Sequence, residues 1–140
     1  MKVLVDTSIW SLALRRRKPE RSDPPSEELK EELKRLIAGY LAVIIGPIRQ
    51  ELLSGIRERA QYDALRHRLR AFPDLLLQSE DYELAARFFN ECRARGVQGS
   101  NTDFLICAVA ARRECAVFST DRDFDAYERT LPFRRHRMAE

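Results

Sequence analysis

Four carboxylates attract notice by where they fall in the sequence. Asp6 closes the apolar run Val3-Leu4-Val5 and is followed by two hydroxyls, Thr7 and Ser8; Asp121 follows Ala116-Val117-Phe118 through Ser119-Thr120 in the same manner. Glu51 lies just inside a helical stretch that begins at Gly46-Pro47 after a second apolar run, and Asp103 lies in the first turn of a stretch that is apolar all round. In a parallel α/β sheet these positions share one edge, the crevice beyond the carboxyl ends of the strands, where such sheets bind ligands. Each acid also has a local reading. Asp6 and Asp121 suit helix caps, Ser100-x-x-Asp103 fits a capping box, and Glu51 suits a pairing with Arg49 or Arg57. Caps need not converge, however, and the fold class predicts that these acids do.

Convergence has an electrostatic consequence. Two carboxylates ~4 Å apart at an effective dielectric near 20 repel by about 4 kcal/mol, so four together require protons or cations. Hard oxygen donors without histidine or thiolate favour Mg²⁺ or Mn²⁺ over zinc. An acidic pocket holding such an ion beside arginines suits a phosphodiester, with water activated at the metal and the flanking backbone met by guanidinium groups.

The elements that must position these acids follow from periodicity. Residues 2–5 and 116–118 read as strands, the β-branched run 40–45 as another, and Leu75-Leu76-Leu77 as a short buried one. Residues 9–14 read as a short helix. Leu29, Leu33, Leu36 and Ile37 recur at helical spacing from a cap at Ser26 to a stop at Gly39, and residues 19–25, rich in charge and proline, read as a loop. The helix from Pro47 turns Ile48, Leu52 and Ile56 inward, with Gly55 allowing close packing or a kink; a further one runs on Tyr62, Leu65, Leu69 and Phe72. Ser79 is expected to cap a helix with Glu80 and Asp81 in its first turn, where the dipole favours them. Residues 99–112 form the all-apolar helix that must be buried on nearly every side. Asp123, Phe124 and Asp125 open a last short helix, and 131–135 reads as an edge strand. The alternation predicts a single α/β domain over residues 1–140 with a mostly parallel sheet.

Composition excludes several classes. Lys+Arg 25 against Asp+Glu 22 leaves a net charge of +3, with the bases clustered at 15–18, at Arg57, Arg59, Arg66, Arg68 and Arg70, and at Arg134, Arg135 and Arg137. Such clusters fit a polyanion or a solvated helix face about equally. Cys92, Cys107 and Cys115 show no CxxC spacing and read as small buried hydrophobes in a reducing compartment. No run approaches the ~18 apolar residues of a membrane span, and no signal peptide is evident, so a soluble cytoplasmic protein is expected. His67 and His136 lie in arginine runs with no partner at a telling spacing, and read as surface residues. The glycines are scattered singly, which excludes a Walker or Rossmann phosphate loop.

Val5-Asp6-Thr7-Ser8, the stretch from Arg49 to Gly55, the stretch from Thr102 to Ala110 and the stretch from Ser119 to Phe124 resemble, in order and over the whole chain, the successive acidic motifs of PIN-domain ribonucleases. The similarity is in particular to VapC toxins of type II toxin–antitoxin systems. The resemblance implies a PIN-like three-layer sandwich with a four- to five-stranded sheet, and an endoribonuclease dependent on Mg²⁺ or Mn²⁺. By the same resemblance Asp6, Glu51, Asp103 and Asp121 are catalytic metal ligands, Asp123 is an additional acidic position, and Thr7 and Thr120 carry hydroxyls that orient the carboxylates. It further implies an RNA substrate, a homodimer, and a VapB-type antitoxin whose tail enters the acidic groove. Two rival readings are distinguishable. An inactive PIN-like module for RNA binding or protein interaction would keep its carboxylates too far apart to share ions, or capped by local arginines. An aspartate-nucleophile phosphatase needs a DxD pair after the first strand, where this chain has Asp6-Thr7-Ser8.

Overall fold

The structure, a computed structural model, describes residues 1–14 and 23–138; the basic stretch 15–18 therefore lies outside the described residues. The elements run β1 (Val3–Val5), α1 (Thr7–Leu14), α2 (Pro24–Ala38), β2 (Ala42–Val43), α3 (Gly46–Leu53), α4 (Arg59–Leu69), α5 (Ser79–Ala94), α6 (Asn101–Arg113), β3 (Ala116–Phe118), α7 (Asp123–Thr130) and β4 (Arg134–Arg135). The four strands form one sheet in the order β2-β1-β3-β4, and every pairing is parallel. This is an α/β sandwich on a fully parallel four-stranded sheet, the class the sequence predicts. The chain leaves β1 toward β2 on one side and reaches β3 on the other, so the switch in strand order falls between β1 and β3. Parallel strands need crossovers and covered faces, and the strand residues Val3, Leu4, Val5, Val117 and Phe118 are all buried.

α6 carries the burial that its composition requires. Phe104 through Ala110 are all buried, with Phe104 against Phe89 of α5. The three cysteines are free and buried. At the other end of β1, the buried Trp10 donates its indole N–H to the Val5 carbonyl at 3.0 Å, which fixes the turn from β1 into α1.

Several boundaries differ from the periodicity reading, each for a local reason. α2 starts at Pro24 rather than Ser26: Asp23 caps it, accepting from the Ser26 N–H at 2.8 Å, and two prolines fit a first turn whose N–H groups lack helical partners anyway. α3 stops at Leu53, because Gly55 takes φ +84 outside the helix. Gln78, not Ser79, is the N-cap of α5. Asp81 proves to be more than a dipole complement, since its fully buried carboxylate accepts the Gln78 N–H at 2.7 Å and pairs with Arg112 at 2.5 Å and Arg113 at 3.1 Å. Burial opposes ionisation of Asp81, but that N–H and the two guanidinium groups together hold its carboxyl below the usual range. This ion cluster ties the start of α5 to the end of α6.

Leu75-Leu76-Leu77 makes no strand. Only Asp74 bridges to Ile44, and Leu76 is 83% exposed, since an extended run turns alternate side chains to opposite faces. His136 is not a surface residue. Its ring is mostly shielded, 5.1 Å from that of Phe118, with Nε2 2.5 Å from Glu32 of α2. His67 is exposed as expected.

Candidate metal centre

The register of β1 against β3 builds the site. Val5 faces Phe118, so the next residue on each strand, Asp6 and Ser119, emerge side by side at the switch point, and the Asp6 N–H bonds the Phe118 carbonyl at 2.9 Å. The Ser119 hydroxyl donates to Asp6 Oδ2 at 2.7 Å. The Ser8 hydroxyl donates to the same oxygen at 3.1 Å. Each serine oxygen in turn accepts a backbone N–H: Ser8 from Thr120 at 3.1 Å and Ser119 from Asp121 at 3.0 Å. Two relays therefore point donor hydroxyls at one buried carboxylate, each polarised by the N–H behind it. The Asp6 carbonyl starts α1 by accepting the Ile9 and Trp10 N–H groups, so its backbone serves the helix while its carboxylate faces the serines.

Asp103 arrives from another direction. Ser100 is the N-cap of α6 and accepts the Asp103 N–H at 3.1 Å, which places the acid on the third helical residue. Its Oδ2 accepts the hydroxyl of Tyr127, from α7, at 2.8 Å. Asp121 lies in the β3–α7 connection and accepts the Asp123 N–H at 2.9 Å. Its local role at the start of α7 thus coexists with its place in the site. One carboxylate oxygen each from Asp103, Asp121 and Asp123 lie within 4.8 Å of one another. Asp6 and Glu51 are not members of that set. Asp6 is linked to it through Ser119 and the Asp121 N–H, and Glu51, exposed on α3, accepts the Thr7 hydroxyl at 2.8 Å.

Burial, with the nearby charges of Asp121 and Asp6, pushes the Asp103 carboxyl upward against the Tyr127 bond that lowers it. Burial and Asp103 push the Tyr127 phenol well above its ordinary range, so it remains a donor. None of the ion pairs among the described residues involves Asp6, Asp103, Asp121 or Asp123. Three carboxylates sharing a space, with no guanidinium among the described residues paired to them and one already resisting ionisation, are a donor set that fits a hard divalent cation. The arrangement could hold such an ion and present it to an anionic oxygen.

Sequence reasoning assigned no role to three participants, Ser8, Ser119 and Tyr127. The hydroxyls on Asp6 belong to Ser8 and Ser119, whereas the Thr7 hydroxyl sits on Glu51 and Thr120 enters by its N–H. Ser119 was legible as the residue that follows the β3 run as Asp6 follows β1. Tyr127 had no such signal, as its place depends on how α7 folds back on α6. The basic clusters are partly neutralised: Arg135 pairs with Asp125 at 2.6 Å, Arg137 with Glu128 at 2.7 Å and Arg59 with Asp63 at 3.5 Å. Arg57, Arg66, Arg68 and Arg70 remain exposed. A cavity of about 730 Å³ lined by Leu14, Ile56, Arg57, Leu65 and Arg68 shares no residue with the acidic set. No helix among the described residues is long and apolar enough to cross a membrane.

Comparison with known proteins agrees with this fold. The PIN domain family model matches residues 3–129, while no curated protein sequence matches the chain. Among solved structures, FitAcB from Neisseria gonorrhoeae superposes with a TM-score of 0.70 at 20% identity, over 90% of this chain and 93% of that one. VapBC2 from Rickettsia felis, bound to a DNA fragment from their promoter, superposes at 0.71 and 14% identity, over 97% and 98%. FitAB bound to the IR36 DNA fragment gives 0.70 and 19%, over 90% of each chain. At these identities the likeness is one of fold.

Proposed function

Because this chain belongs to the PIN-domain family, a family of nucleases, we propose that it is an endoribonuclease dependent on Mg²⁺ or Mn²⁺ and the toxin of a VapBC-type toxin–antitoxin pair. The observation that carries the reading is the shared space of Asp103, Asp121 and Asp123, with carboxylate oxygens within 4.8 Å of one another. Asp103, Asp121 and Asp123 would hold the cation, and Asp6 and Glu51 would complete the acidic rim at the ends of β1 and the start of α3. When bound, the cation supplies an activated water and charge neutralisation at the scissile phosphate.

The chain's own residues supply the rest. Ser8 and Ser119 fix Asp6 by donating to it and Tyr127 donates to Asp103, while guanidinium groups are the side chains suited to the flanking phosphates of an RNA strand. The acids repel a bare polyanion, so substrate and cation bind together. Similarity to VapBC2 and to FitAB supports an antitoxin partner, and by the family resemblance its tail would enter the acidic groove. A cytoplasmic homodimer is the assembly expected with it.

Incubation with a total RNA pool tests the reading. Cleavage is expected in Mg²⁺ and not in EDTA, and Asp6→Asn and Asp103→Asn should each slow it by on the order of 100-fold or more, since even outer groups of a metal site cost 10–100-fold. Cleavage by either variant at the parental rate, or undiminished cleavage in EDTA, would overturn it.

A further inference from the structure

Tyr127 is fully buried on α7, with its ring 5.1 Å from that of Phe104 and 5.2 Å from that of Phe124. Packing alone would be served by phenylalanine, and a buried hydroxyl is costly unless it is hydrogen-bonded. Here the hydroxyl bonds a carboxylate of the acidic set, Asp103, at 2.8 Å, with the Gln98 carbonyl at 3.3 Å. A second residue, remote in sequence, serves the same contact. A Cβ at Gly99 would stand 2.2 Å from the Tyr127 hydroxyl oxygen and 2.8 Å from its Cζ. Only glycine lets the α5–α6 connection close over the phenol in this position.

We propose that Tyr127 is a positioning residue of the nuclease site: its phenol holds the Asp103 carboxylate in the orientation from which it shares a divalent cation with Asp121 and Asp123, and Gly99 keeps the phenol in place. The inference rests on the metal-dependent reading above. It differs from a purely structural role in what it affects. A structural tyrosine sets stability, whereas a positioning one sets cation affinity in a protein that is still folded.

The test is titration calorimetry of Mn²⁺ into the full chain as parent, Tyr127→Phe, Gly99→Ala, the double variant, and Tyr82→Phe as a control on an exposed tyrosine. Tyr127→Phe keeps the ring contacts and should weaken Mn²⁺ binding about tenfold or more, with RNA cleavage recovering toward the parental rate as Mn²⁺ is raised to saturation. Gly99→Ala retains every hydrogen-bonding side chain, should weaken binding similarly, and should add little in the Tyr127→Phe background, as expected of two residues acting through one contact. Tyr82→Phe should bind like the parent. A folded Tyr127→Phe with parental Mn²⁺ affinity, or a Gly99→Ala effect of equal size with and without the phenol, overturns the inference alone. A parent protein that binds no Mn²⁺ overturns the metal-dependent reading and this inference with it.

Discussion

Ser119→Ala removes a hydroxyl that faces two ways: it donates to Asp6 Oδ2 at 2.7 Å and accepts the Asp121 N–H at 3.0 Å. A hydrogen bond to a charged group contributes about 1.5–3 kcal/mol. Asp6 keeps the Ser8 hydroxyl at 3.1 Å, which places the loss in the lower half of that range. The Asp121 N–H belongs to a half-buried residue beside exposed Thr120 and turns to water at little further cost. The expected destabilisation is therefore about 2 kcal/mol. With a urea slope of roughly 1–3 kcal/mol/M for a small protein, the unfolding midpoint should fall by about 1 M in circular dichroism with the slope unchanged. Ser8→Ala should cost less alone, and the double variant more than the sum, because either serine partly covers for the other. A Ser119→Ala midpoint within ~0.3 M of the parent, equivalent to about 0.5 kcal/mol at such slopes, would refute the assignment of Ser119 as the principal support of Asp6.

Two further outcomes follow from the charges. The raised Asp103 pKa, caused by burial and by Asp121 and Asp6, means that its ionised form destabilises the fold as pH rises above the unfolded value; Asp103→Asn should melt higher than the parent in EDTA and lose that advantage in excess Mn²⁺, where only a cation-binding native state gains by mass action. Equal or lower melting of the variant in EDTA would count against the electrostatic account. Glu32 is lowered from 4.5 to about 2 by Arg35 and, against its burial, by His136. That contribution is complete above the unfolded pKa and is lost as pH falls toward about 2. Glu32→Gln should accordingly flatten the acid limb of the stability profile, and an acid limb identical to the parent's would show that the contacts of Glu32 with Arg35 and His136 carry none of it.

The sequence made the central frame legible because apolar runs of three residues ending in Asp6 or Ser119 have few alternatives, and because α6, apolar all round, had to lie inside. The acids were legible as positions along one sheet edge. Their grouping was not: Asp123 shares the 4.8 Å set while Asp6 approaches it through serines, a distinction that depends on the turn between β3 and α7 and not on any spacing. The misread elements share a cause. At Pro24, Gln78 and Gly55 the competing signals lay within one or two residues of each other, and backbone geometry chose among them. Leu75-Leu76-Leu77 had the hydrophobicity of a strand, but its pairing beside Ile44 ends after the Asp74 bridge and the Leu75 N–H bond, too short a contact to make a ladder. His136 looked solvent-facing only because Glu32, its partner, lies on a helix near the other end of the chain.

The central position of β1 in the sheet, between β2 and β3, has a consequence for the order of biosynthesis. β1 and α3, with Asp6 and Glu51, leave the ribosome early, but Asp103, Asp121 and Asp123 belong to the last third of the chain and meet Asp6 only when β3 inserts beside β1. At about 5–20 residues per second, roughly 5–20 s separate the making of Asp6 from that of Asp103. Throughout that interval the growing chain holds one edge of β1 open and has no acidic cluster. A chain broken off before β3 holds Asp6 and Asp103 but neither Asp121 nor Asp123, so the three-carboxylate set forms only once β3 and the turn into α7 have been made.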